Sequence, residues 1–137
     1  MRVVIMGCGR TGSLLAAMLD GDGHDVAIVD WNQSAFTRLP DAFRGRTIVG
    51  NGVDQDVLRL AGVESAEAFV AATSGDNRNI MAAQIAQHMF RVPRVISRIK
   101  DPIRAAIYGQ LGIEVDCRTI EGVDAILELI GESAHPR

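Results

Sequence analysis

Val3-Val4-Ile5-Met6-Gly7-Cys8-Gly9-Arg10-Thr11-Gly12 stands near the start of the chain and decides how the rest is read. Four aliphatic residues in a row suit a strand buried on both faces, and the glycines after them mark a tight turn. From Ser13 to Asp20, Leu14, Leu15, Met18 and Leu19 recur at helical spacing, so the stretch is strand, turn and helix. A strand that is apolar on both faces needs cover above and below. Parallel sheets obtain it from helical crossovers.

The unit repeats. Val26 to Asp30 is a second strand, Asn32 caps a helix, and Pro40 ends that helix because it lacks an N–H donor. Thr47-Ile48-Val49 is a third strand, followed by a helix that Asp54 caps, that runs through Leu60 and that Gly62 stops. Ala68 to Thr73 is a fourth apolar run. Asp76 or Asn77 opens a longer helix to about Phe90, and Pro93 breaks it. Arg94 to Arg98 is the fifth strand, after which Asp101-Pro102 pairs a cap with a proline at the first helical position. That helix ends at Gly109 or Gly112. Ile113 to Thr119 is the sixth strand, and Val123, Ile126, Leu127 and Ile130 give the last helix an apolar stripe. Six strand-helix units predict an α/β fold, a doubly wound parallel six-stranded Rossmann sheet in the order 3-2-1-4-5-6. Residues 1–119 would be one nucleotide-binding lobe and 120–137 a C-terminal helix. These units use nearly all of the 137 residues and leave no length for a separate substrate domain.

Composition narrows the function. Lys and Arg number 14 against 17 Asp and Glu, a net charge of −3, which argues against attraction to nucleic acid or to an anionic membrane. Aromatic residues are 4% of the chain, too few for base-stacking platforms. Cys8 and Cys117 are far apart with no C-x-x-C pairing, which fits a reducing, cytosolic setting, and Val3 to Met6 is too short for a signal peptide or a membrane span. His24, His88 and His135 are scattered, so zinc is not expected. Met6, Met18, Met81 and Met89 read as core filler.

The first turn has the G-x-G-x-x-G pattern where a helix begins. Gly7 serves the tight turn, Gly9 lets backbone approach a pyrophosphate, and Gly12 allows close packing of helix on strand. Free N–H groups at the helix start hold the anion, with a helix-end field worth roughly 0.3 to 2 kcal/mol. Asp30 ends the second strand about 20 residues on, where a carboxylate accepts ribose hydroxyls. It also disfavours NADP, because a 2′-phosphate would meet a like charge, and Trp31, Asn32, Gln33 and Ser34 supply no cation. NAD(H) or an adenosine nucleotide fits better. Gly50-Asn51-Gly52 lies at the carboxyl edge of the sheet and either reaches an adenine or is a plain turn. Thr73-Ser74-Gly75 faces the first glycine loop across the topological switch point, and Arg98 aims a cation at the same edge. Cys8 needs only to be small. Trp31 either covers the adenosine or lies on the surface.

With Gly7 to Gly12, Asp30, Gly50-Asn51-Gly52, Thr73 with Asp76 and Asn79, and Arg98 in place, the chain resembles the nucleotide-binding lobe of regulators of potassium conductance. This is the RCK, KTN or TrkA-N domain, here of the kind found in Trk-type potassium uptake regulators, and the resemblance runs from about Met1 to Thr119. It implies a cytosolic gating subunit, peripheral to the inner face of the membrane through a potassium channel or transporter partner, that carries NAD(H) or ATP/ADP. Carried over by position, Gly7, Cys8, Gly9, Arg10 and Thr11 form the phosphate loop and Asp30 anchors the ribose. Asn51 and Gly52 form the adenine-side loop, Thr73 and Ser74 the opposite wall, and Arg98 neutralises phosphate. The chain departs from the family's frequent acid at Asn51, from a second acid near Asn32 and from a threonine at Val53. Family members also commonly have a smaller C-terminal lobe, which these 137 residues do not contain.

The last helix, which in the family crosses to a neighbour, implies a homodimer or a higher RCK assembly. The competing class is a small nicotinamide oxidoreductase or the cofactor domain of one. It would need an acid-base residue beside the nicotinamide, and Thr73, Ser74 and Asn77 form no Tyr-Lys or His-carboxylate pair.

Overall fold

The computed structural model describes residues 1–132. β1 (Arg2–Met6) is the centre of a six-stranded sheet, paired with β2 (Asp25–Asp30) on one side and β4 (Ala68–Ala71) on the other. β3 (Arg46–Val49) lies outside β2, and β5 (Arg94–Arg98) and β6 (Glu114–Asp116) extend the other half. All pairings are parallel, in the order β3-β2-β1-β4-β5-β6. The expected fold class and strand order are therefore the observed ones. The order reverses between β1 and β4, which opens a crevice at the carboxyl ends of those strands.

Alternation along the strands builds two apolar layers. Val4, Met6, Val29, Phe69, Ala71 and Val95 pack against Leu58 of α2 (Gln55–Leu60) and Ala82 and Ala83 of α3 (Asp76–Gln84). Val3, Ile5, Val26, Ile28 and Ala68 pack against Ala16 of α1 (Arg10–Gly21) and against Ala35. Alanine on the helix side lets the helices sit close to the sheet. Ile5, Ile28 and Phe69 are completely buried, each worth about 1.5–3 kcal/mol of apolar transfer. A third cluster, Ile80, Ile99, Ala105 and Cys117, seats α4 (Pro102–Gln110) against α3. α5 (Arg118–Ile130) has no buried residue, and Val123, Ile126, Leu129 and Ile130 are exposed.

Several elements differ from the sequence reading. The segment after Asn32 is a 3-10 helix, Gln33–Arg38, rather than an α-helix; Asn32 caps it by accepting the N–H of Ser34, and Leu39 is extended ahead of Pro40. β4 ends at Ala71: the Ala72 N–H still donates to the Met6 carbonyl of β1, but that of Thr73 turns away to the side chain of Asn79. The helix expected to reach Phe90 changes at Ile85–Met89 to a π turn, closed by Phe90 N–H on the Ile85 carbonyl. β6 is only three residues long, and α5 begins at Arg118. Met6 is core, but Met18, Met81 and Met89 are exposed: helical spacing does not itself say which stripe faces the sheet, and the small residues Ala16, Ala82 and Ala83 face it instead.

Candidate functional site

The turn after β1 is shaped by close contacts that only glycine permits. Gly7 has φ +105°, and a Cβ there would lie 2.9 Å from the backbone of Ala72 and Thr73. A Cβ at Gly12 would lie 1.8 Å from the Gly7 carbonyl oxygen, so α1 can begin this close to the turn only without one. A Cβ at Gly9 meets no protein atom within 4 Å; that space belongs to the crevice. Gly9 caps α1 without a side-chain bond, which leaves first-turn N–H groups for an anion.

Asp30 closes the turn from the side. One carboxylate oxygen accepts the N–H of Cys8 at 2.8 Å and the other that of Asn32 at 2.9 Å. Each oxygen keeps a further lone pair for a ligand hydroxyl. The Cys8 thiol is buried and donates to the Ala35 carbonyl at 3.4 Å. Burial pushes its pKa up, the Asp30 charge adds to this, and Arg38 opposes it.

Asn79 organises the opposite wall. It is 1% exposed, and its Oδ1 accepts the Thr73 hydroxyl at 2.6 Å and the Thr73 N–H at 2.9 Å. Its amide nitrogen donates to the carbonyls of Thr73 and Arg98 at 2.9 and 3.1 Å, tying the end of β4 to the end of β5. Asp76 makes a second tie. Its carboxylate accepts the N–H groups of Lys100 and Asp101 at 2.8 and 3.1 Å, and Asp101 in turn caps α4 at Ile103. Arg104 of α4 donates to the side chain of Asn77.

The result is a crevice of about 520 Å³. Gly7, Cys8, Gly9, Arg10, Thr11, Asp30, Asn51, Gly52, Thr73, Ser74 and Arg98 all line it, while Gly12 lies behind the turn as a packing residue. Asn51 shapes its own loop by accepting the Val53 N–H, and Gly52 leaves room for Met6, whose sulfur would be 2.2 Å from a Cβ there. Trp31 stands at the rim, 63% exposed.

Two lining residues escape a reading of motifs. Arg38 reaches back from the end of the 3-10 helix to the Cys8 carbonyl at 3.4 Å, and Arg78 places its guanidinium carbon 4.2 Å from the centroid of the Trp31 ring. The reading that no cation follows Asp30 is thus corrected: it stopped at Ser34, whereas one turn of helix brings Arg38 to the same wall. Arg10, Arg38, Arg78 and Arg98 face a single acid, Asp30, so the crevice is locally positive within a chain of net charge −3. Among the described residues no group of His, Cys, Asp or Glu could hold a metal ion, and no helix is long and apolar enough to cross a membrane. His135 lies outside the described residues.

A glycine turn under a helix start, an acid at the end of the next strand and a basic rim at the switch point define a Rossmann domain of the nucleotide-site class. Residues 3–117 match the TrkA-N domain model, and the chain belongs to that family. It is 54% identical over 137 residues to the Trk system potassium uptake protein TrkA of Streptomyces coelicolor, covering 99% of this chain and 61% of the relative. This chain thus spans about three-fifths of that protein's length. Among solved structures, the TrkA-N domain of the inner membrane protein ybaL from Escherichia coli superposes with a TM-score of 0.81 at 20% identity, covering 94% and 96% of the two chains. The GsuK channel bound to NAD gives 0.79 at 22% identity, covering 95% of this chain and 23% of that one. GsuK bound to ADP gives 0.78 at 22% identity, covering 94% and 33%. At these identities the likeness is one of fold.

Proposed function

We propose that this chain is the nucleotide-sensing part of a potassium uptake system: it binds NAD(H) or ATP/ADP and passes its occupancy to a membrane potassium channel or transporter. The observation that carries the reading is the hydrogen bond from Cys8 N–H to the Asp30 carboxylate, which joins a phosphate-holding turn to a ribose-holding acid in one rigid unit. Gly9, Arg10 and Thr11 would hold phosphates, Asp30 the ribose, and Asn51 with Gly52 the adenine side. Thr73 and Ser74 would face the ligand from the other bank, with Arg98 as a counter-charge. NAD and ADP are the ligands of GsuK, a channel of the same fold.

The role is regulatory rather than catalytic. The Thr73 hydroxyl is engaged by Asn79, and the acid that lines the crevice, Asp30, is tied to two backbone N–H groups. Such a lobe acts by differential affinity: a nucleotide that binds one assembly shape better shifts the partner's equilibrium, typically by about 1–3 kcal/mol. The chain would work in the cytoplasm against the inner face of the membrane. Residues 1–119 would serve as the sensing lobe and the helix beyond as the crossover to a second copy. The exposed stripe Val123, Ile126 and Ile130 supports a homodimer, which light scattering tests; a monomer at micromolar concentration would contradict it.

Asp30 favours NAD(H), ADP and ATP over NADP, although Arg38 and Arg78 soften the charge a 2′-phosphate would meet. A thermal-shift titration with NAD, NADH, ADP, ATP and NADP tests the whole reading, since a ligand raises stability with the logarithm of its concentration over its Kd. No shift with any of them would refute it.

A further inference from the structure

Arg78 leaves the first turn of α3, on the bank formed by Thr73 and Ser74, and its guanidinium rests on the Trp31 ring, on the bank formed by Asp30. β1 runs between those banks, so the side chain crosses the crevice over the end of the strand that carries the glycine turn. A guanidinium on an indole face is held by the ring quadrupole and by stacking, with no full counter-charge. Phosphate is a stronger partner, because it offers full charge and paired oxygens that match the guanidinium fork. The start of α1, through Gly9, Arg10 and Thr11, lines the same crevice as Arg78. The other half of the bridge can yield, because Trp31 is exposed at the rim.

Resting on the reading that the crevice takes adenine nucleotides, we propose that Arg78 is a specificity-determining residue, parked on Trp31 and drawn off it by the phosphate beyond the first. The crevice would then sort nucleotides by charge past the α-phosphate, with ADP engaging Arg78 and AMP leaving it on the ring. Trp31 is the only tryptophan of the chain, so its emission reports the contact directly.

The experiment is calorimetry of ADP and AMP on the purified protein and its Arg78→Gln and Trp31→Leu variants, with tryptophan emission followed in the proteins that retain Trp31. Arg78→Gln is expected to weaken ADP by at least about tenfold and AMP by less than about threefold, the loss of one charge-assisted contact. ADP changes Trp31 emission in the unaltered protein, and the change is absent in Arg78→Gln. Trp31→Leu frees Arg78 and keeps ADP affinity within about threefold of the unaltered protein or tightens it. Equal losses of ADP and AMP in Arg78→Gln, or an ADP loss in Trp31→Leu as large as in Arg78→Gln, would overturn the assignment in favour of a general counter-charge or an adenine platform. An unaltered protein that binds neither nucleotide would instead refute the underlying site, and this proposal with it.

Discussion

The Asp30 carboxylate accepts the Cys8 N–H at 2.8 Å, so the acid that ends β2 and the turn that follows β1 are held as one piece. On the proposed reading, replacing Asp30 with alanine removes the ribose acceptor, and it frees the turn that the carboxylate fastens. Affinity for NAD and ADP should fall by at least about tenfold, the loss of hydrogen bonds to a charged group. Calorimetry reads this, and unchanged affinity would take Asp30 out of the site. The unaltered protein should also bind NADP more weakly than NAD, and Asp30→Asn should narrow that gap by lifting the like charge.

Asn79 is the buried fastener of the other bank. Asn79→Ala strands the N–H and the carbonyl of Thr73 and leaves the Arg98 carbonyl only the Ser97 hydroxyl, so stability should drop by about 2–4 kcal/mol in urea denaturation. A loss below about 0.5 kcal/mol would mean that water replaces the amide at no cost.

Gly12 and Gly9 should separate folding from binding. Gly12→Ala drives a methyl into the Gly7 carbonyl and should lower the melting temperature by several degrees or prevent folding. Gly9→Ala meets no protein atom within 4 Å and should stay within about 1 kcal/mol of the unaltered protein, yet lose nucleotide affinity. If Gly9→Ala binds normally, the ligand's phosphates do not approach that backbone.

The buried Cys8 thiol titrates above its ordinary value of 9.0 because burial and Asp30 both oppose the thiolate. The unfolded chain therefore gives up this proton first as pH rises. The stabilisation is complete below the ordinary value and is lost as pH climbs from there through the raised one. Cys8→Ala should flatten that part of the stability curve, measured by denaturant titration between pH 8 and 11. Parallel curves for the two proteins would show that Cys8 does not contribute.

Most of the sheet was legible because each strand is a short aliphatic run closed by a turn residue, and because a parallel sheet tolerates such runs only with helices between them. β5 falls at Arg94–Arg98 as read, and Asp101 with Pro102 opens α4 as read. The π turn at Ile85–Met89 was not legible, since an i→i+5 bond leaves no distinct periodicity in five residues. Nor did spacing reveal the 3-10 form of Gln33–Arg38. Within the crevice, Gly7, Gly9, Asp30 and Thr73 announce themselves because their roles depend on backbone position. Arg38 and Arg78 do not, because a long side chain reaches its place through space, and its neighbours in sequence say little about where it ends.

The carboxylate of Asp76 grips the N–H groups of Lys100 and Asp101, and Arg104 of α4 holds the side chain of Asn77. The beginnings of α3 and α4 are thereby pinned to a common hinge plate. On the proposed reading, that plate couples the bank of Thr73 and Ser74 to α4, whose Ile103 and Ile107 lie bare, with Leu111 bare just beyond its end.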